Sequence, residues 1–95
     1  MIRVMVVDDQ RDVRDGLSLM LSRDPGIRVV ARCANGAEAI DALRALEADG
    51  NALPEVALMD VRMPLMDGID ATRRIHRLWP GVRVLVLTTY DQDDY

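Results

Sequence analysis

Short apolar runs alternate along the chain with longer segments whose apolar residues recur at helical spacing. Ile2 to Val7 is an almost continuous apolar run and reads as a strand buried on both faces. Arg11 to Arg23 follows with Val13, Leu17, Met20 and Leu21 at helical spacing, and Asp24-Pro25-Gly26 supplies a turn. Ile27 to Cys33 then alternates, with Ile27, Val29, Ala31 and Cys33 predicted on one face and Arg28 and Arg32 on the other, as suits an edge strand. Asn35 precedes Glu38 by three residues, a capping-box start for a helix carrying Ala39, Ile40, Leu43 and Leu46 that should stop near Asp49-Gly50. Glu55 to Met59 is a third short strand. Asp67 introduces a helix with Ile69, Thr72, Ile75 and Trp79 on or near one face, closed by Pro80-Gly81. Val82 to Leu87 reads as a fourth strand, buried in character apart from Arg83, and Asp91 to Tyr95 as the start of a further helix. The order β-α-β-α-β-α-β predicts an open α/β fold, a parallel sheet with helices on both faces and right-handed crossovers.

Composition narrows the function classes. A chain of 95 residues without repeats or a linker-like stretch reads as one domain, and 49% hydrophobic with 29% charged residues is a globular balance. A net charge of −4, no Phe, one Trp and two Tyr argue against a nucleic-acid footprint, which needs a basic face or stacking platforms. Cys33 is the only cysteine, so an intrachain disulfide is excluded; it reads as a small buried hydrophobe in a reducing compartment. The opening apolar run is too short for a signal-peptide core and no stretch is long enough to span a bilayer, so a cytoplasmic protein without membrane contact is expected. All twelve basic residues are Arg, which removes any chemistry needing a lysine ammonium within these residues.

In open α/β sheets ligands bind beyond the carboxyl ends of the strands. Three of the four predicted strands end in polar residues: Asp8-Asp9, Asp60, and Thr88-Thr89. A lone Asp at such a place is ordinarily a cap or a solvated loop residue, and Asp9 could cap the helix that follows. If the first and third strands are neighbours, however, Asp8, Asp9 and Asp60 converge. Two charges about 4 Å apart repel by roughly 4 kcal/mol at an effective dielectric near 20. Either one carboxyl holds its proton or a cation occupies the site, and hard oxygen ligands at a phosphate-competent crevice favour Mg²⁺. A carboxylate beside Mg²⁺ with a strand-end hydroxyl nearby is a plausible phosphoryl acceptor; Asp60 stands alone at its strand end and suits that role, while the Asp8-Asp9 pair suits the metal.

The segments Val6-Val7-Asp8-Asp9, Leu58-Met59-Asp60-Val61-Arg62-Met63-Pro64-Leu65-Met66-Asp67-Gly68 and Val86-Leu87-Thr88-Thr89-Tyr90 resemble the receiver domain of two-component response regulators, and the last of them its NarL/LuxR-type branch. The resemblance implies a flavodoxin-like doubly wound parallel sheet of order 2-1-3-4-5. It also implies that Asp60 accepts a phosphoryl group from a sensor histidine kinase. Asp9 matches a direct Mg²⁺ ligand, Asp8 a partner acting largely through water, and the backbone carbonyl of Arg62 a further metal ligand. Thr88 matches the switch hydroxyl that follows the phosphoryl group. His76, among Arg73, Arg74 and Arg77, is expected at the surface rather than in a site.

The family pattern extends further, to the rest of a fourth helix, a fifth strand bearing a Lys and an aromatic switch residue, and a fifth helix. Residues 1–95 are therefore expected to form one receiver domain that is C-terminally incomplete, with sheet order 2-1-3-4 and the fifth strand missing. Its fourth strand would be an exposed edge through which the chain forms a homo-oligomer. The expected role is a signalling phosphoacceptor with a transcriptional output, not an enzyme beyond its own phosphoryl transfer and dephosphorylation. DNA would be bound only by a C-terminal module outside these residues. The alternative is a non-phosphorylated pseudo-receiver used for protein contacts. A Mg²⁺-dependent phosphohydrolase is disfavoured, because the first strand lacks an Asp-x-Asp spacing.

Overall fold

The computed structural model describes residues 1–60 and 68–87. Within them the chain runs β1 (Ile2–Val7), α1 (Arg11–Ser22), β2 (Ile27–Cys33), α2 (Gly36–Ala48), β3 (Val56–Asp60), α3 (Gly68–Leu78) and β4 (Arg83–Leu87). All strand pairs are parallel and the sheet order is β2-β1-β3-β4, the order of a flavodoxin-like doubly wound fold. The helix start expected over Asp91 to Tyr95, and Arg62, Asp67 and Thr88, lie outside the described residues.

Local chemistry explains the element boundaries. Asn35 caps α2: its side-chain oxygen accepts from the Glu38 amide at 2.9 Å, and the Glu38 carboxylate reaches back to the Ala34 amide at 3.0 Å. At the other end the amides of Gly50 and Asn51 donate to the carbonyls of Glu47 and Leu46, which turns the chain through Gly50 at φ 71°, a conformation that favours glycine. The Asp24 side chain accepts from the Gly26 amide, closing the turn between α1 and β2.

β1 is central, and its Val4 to Val7 stretch is buried, as the continuous apolar run requires. Met5 and Val7 face Ala39, Ile40 and Leu43 of α2, Ala71 and Ile75 of α3 and Trp79 just after it, joined from β3 by Ala57 and Met59. Val4 and Val6 turn to the opposite face, where α1 packs on β1 and β2. Burying each large side chain of this set, such as Met5, Leu43, Met59 or Ile75, is worth roughly 1.5–3 kcal/mol.

Four details differ from the pattern read in the sequence. The register between β1 and β2 slips: Val4 pairs with Val29, but Met5 pairs with Ala31, leaving Val30 as the extra residue. Ile27 and Val29 therefore share the face of Ile2 and Val4, whereas Ala31 and Cys33 share the face of Met5 and Val7. The single apolar face expected across Ile27 to Cys33 is in fact split between the two sides of the sheet, and Arg28 and Arg32 stand on opposite sides.

Met20 and Ile69 obey helical spacing yet are exposed, Ile69 at 58%. The stripe that α3 buries is instead Gly68, Ala71, Ile75 and, just beyond its end, Trp79. In α1 the fully buried position is Ser18, whose hydroxyl donates to the Arg14 carbonyl at 2.7 Å and is thereby satisfied. Finally, β4 is less buried than its apolar run implied, with Leu85 at 55% and Val86 at 45% exposure, because it is the edge of the described sheet.

Candidate functional site

Parallel pairing of β1 and β3 sets the site. Val7 is in register with Met59, so the next residues, Asp8 and Asp60, leave the carboxyl ends of adjacent strands side by side. Oxygen atoms of Asp8, Asp9 and Asp60 all lie within 4.8 Å of one another. Asp8 and Asp60 are buried, at 3% and 4% exposure, while Asp9 faces solvent. The convergence expected of these three carboxylates is thus present, and Asp9 does not take the alternative role of helix cap: the N-cap of α1 is Gln10, which makes no side-chain cap hydrogen bond. It is Asp8 that accepts from the Gln10 amide, at 2.8 Å.

The backbone on either side of this turn is tied down. The Asp8 amide donates to the Cys33 carbonyl at 3.0 Å, which anchors the end of β1 to the end of β2. The Asp8 carbonyl accepts from Nη1 of Arg14 at 2.9 Å. Sequence pattern does not single out Arg14 as a site residue. The available signal is a basic residue, half-buried in the structure, beside Val13 in the inward stripe of α1.

Burial raises the Asp8 carboxyl above its ordinary value and is the largest cause. The Gln10 amide opposes that shift, the charges of Asp60 and Asp9 add to it, and the Arg14 guanidinium works against it. Cys33 is buried behind this turn, and desolvation foremost, with Glu38 adding and Arg14 opposing, pushes its thiol up to about 11. It is a protonated, inert packing residue at neutral pH, as expected from composition.

An all-oxygen donor set with two buried carboxylates fits a small hard divalent cation, and Mg²⁺ is held through one or two carboxylates with water completing its shell. Arg62 and Thr88, also expected at the site, lie outside the described residues. His76 is exposed in the last turn of α3, away from the carboxylates, together with exposed Arg73, Arg74 and Arg77.

Known proteins share this fold. The family model described as the response regulator receiver domain matches residues 4–95. Among curated proteins the chain is 39% identical over 95 residues to the response regulator GacA of Pseudomonas viridiflava, covering 100% of this chain and 42% of that protein. It is 39% identical over 90 residues to the transcriptional regulatory protein LnrK of Bacillus subtilis, covering 95% and 38%. The chain therefore spans well under half the length of these relatives. Among solved structures, the signal receiver domain of the response regulator NarL from Mycobacterium tuberculosis superposes with a TM-score of 0.78 at 34% identity, covering 98% of this chain and 70% of that one.

Proposed function

Because this chain belongs to the response regulator receiver domain family, whose general property is phosphorylation on aspartate, we propose that Asp60 is its phosphoacceptor and that the cluster around it binds Mg²⁺. The observation that carries the reading is the meeting of Asp8, Asp9 and Asp60 at the carboxyl ends of β1 and β3. A lone buried carboxylate would be an expensive core residue; three together form a site.

In this reading a carboxylate oxygen of Asp60 attacks the phosphorus of a phosphohistidine on a sensor histidine kinase. A P–O bond forms as the P–N bond breaks, and the imidazole leaves with the electron pair. Asp9 and Asp60 would hold the metal directly, Asp8 largely through water, and the Arg62 backbone carbonyl would complete the protein ligands. Bound Mg²⁺ would supply charge neutralisation on the transferring group. Asp8, held by the Gln10 amide and through its backbone by Cys33, would keep that wall of the site fixed. Thr88 would receive the phosphoryl oxygens as a hydrogen-bond donor; it directly follows Leu87, the Cα partner of Asp60 in the β3–β4 register.

The output we infer is transcriptional, supported by relatives named as regulators of that kind, with any DNA contact made by a module outside these residues. The role is that of a cytoplasmic signalling receiver. Among the described residues no helix is long and apolar enough to cross a membrane. Exposed Leu85 and Val86 on β4 support self-association of this chain through that edge, which light scattering would show as a dimer or larger species and a monomer at all concentrations would contradict.

The test of the central reading is exposure to acetyl phosphate with Mg²⁺, followed by intact-mass measurement. The wild type should gain one alkali-labile phosphoryl group, and Asp60→Asn should gain none. Equal uptake by both would remove Asp60 from the role, and no uptake by either would favour the non-phosphorylated interaction module.

A further inference from the structure

The turn that carries the acidic pair is fastened at three points, and they are not equivalent. The Asp8 amide is held by β2 and the Asp8 side chain by the amide of Gln10, the N-cap of α1. The third bond, from Arg14 Nη1 to the Asp8 carbonyl at 2.9 Å, fixes the peptide that joins Asp8 to Asp9. Asp9 is exposed, and no side-chain hydrogen bond or ion pair holds it among the described residues. Its direction therefore depends on the peptide before it, which is the one Arg14 clamps. Arg14 is itself well anchored: its amide donates to the Gln10 carbonyl at 2.9 Å, its carbonyl accepts from Ser18 at 2.7 Å, and its side chain is half-buried.

We propose that Arg14 is a positioning residue for the acidic site: by clamping the Asp8 carbonyl it orients the Asp8–Asp9 peptide and aims the Asp9 carboxylate at Asp60. The inference deepens the Mg²⁺ reading above and rests on it. It also predicts a sign that plain electrostatics reverses. A guanidinium near the site repels a divalent cation, so if charge alone mattered, removing Arg14 would tighten Mg²⁺ binding. If positioning dominates, removal loosens it, as loss of an orienting partner behind a metal ligand does, typically by about tenfold or more.

The experiment is a calorimetric Mg²⁺ titration of the wild-type chain, Arg14→Met and Arg14→Lys, with circular dichroism to establish folding and a thermal melt in chelator. The expected result is a wild type that binds Mg²⁺, an Arg14→Met that binds about tenfold more weakly, and an Arg14→Lys in between, since an ammonium keeps the charge but not the rigid fork. Binding by Arg14→Met that equals or exceeds the wild type overturns the proposal, whatever its melting temperature. Should Arg14→Met fail to fold, Arg14→Lys decides: weaker binding than wild type supports the proposal, and unchanged binding overturns it. A wild type without any response to Mg²⁺ overturns the parent reading and this one with it, which keeps the two failures distinct.

Discussion

The two ends of the same sheet handle charge in opposite ways. At the amino end, Arg3 lies 3.3 Å from the Glu55 carboxylate and donates to the Leu53 carbonyl at 2.8 Å, while the Trp79 indole N–H reaches Glu47 at 3.3 Å. Arg3, Glu55 and the Trp79 indole each have a complementary partner there. At the carboxyl end, three carboxylates crowd together, two of them buried. A concavity of about 440 Å³, lined by Leu53, Pro54, Leu78 and Trp79 among others, is at the amino end. What marks the carboxyl end is like charge brought together, with burial raising the Asp8 carboxyl. One end is arranged for stability, and the other keeps an electrostatic cost that a bound cation would offset.

That contrast can be broken at either end. The largest effect should come from Trp79→Ala, which empties a buried aromatic site joining α3 to α2. It should cost about 3–5 kcal/mol in chemical denaturation, and a still-folded variant should keep its Mg²⁺ response. A loss below about 1 kcal/mol would mean that the amino end is not the stabilising one.

Next in size is Asp8→Asn, which keeps the oxygen that accepts from Gln10 but removes a buried charge. In chelator at neutral pH it should stabilise the chain by about 1 kcal/mol. The folded chain binds the Asp8 proton more tightly than the unfolded one, because its carboxyl is raised from 3.8. Metal-free wild type should therefore lose stability relative to Asp8→Asn as pH climbs from about 4 through the raised value, and the gap should close on acidification. Parallel stability curves for the two proteins would show that burial of this charge costs nothing.

The smallest change belongs to the amino end. Arg3 and Glu55 are both partly exposed, so Glu55→Gln should cost about 0.2–1 kcal/mol, less at high salt. A loss several times larger would promote that pair from a surface contact to a structural one.

Much of this arrangement is legible in the residues. The element order follows from hydrophobic periodicity, and the Asn35–Glu38 cap and the Gly50 turn follow from local hydrogen-bond chemistry, which depends on neighbours in sequence. The convergence of Asp8, Asp9 and Asp60 follows from their places at strand ends, where an open α/β sheet binds its ligands. What escapes such a reading depends on contacts that are distant in the chain. The slip at Val30 is a matter of β1–β2 register, and alternation alone cannot reveal an inserted residue. Ile69 and Met20 satisfy the helical period but sit at the margin of the buried stripe, where packing decides. Leu85 and Val86 carry the composition of a buried strand at the sheet edge. Arg14 is invisible as a site residue because its contribution runs through a backbone carbonyl, which has no side-chain signature.

The most direct measurement is the melting temperature of the wild type, Asp9→Ala and Glu55→Gln as Mg²⁺ is raised at neutral pH. Ligand binding to the native state at a hundredfold excess over its dissociation constant is worth about 2.7 kcal/mol. Wild type and Glu55→Gln should both rise steeply and Asp9→Ala should stay flat. A wild type that ignores Mg²⁺, or an Asp9→Ala that follows it as closely as the wild type does, would contradict the assignment of the carboxyl end as the metal and phosphoryl site.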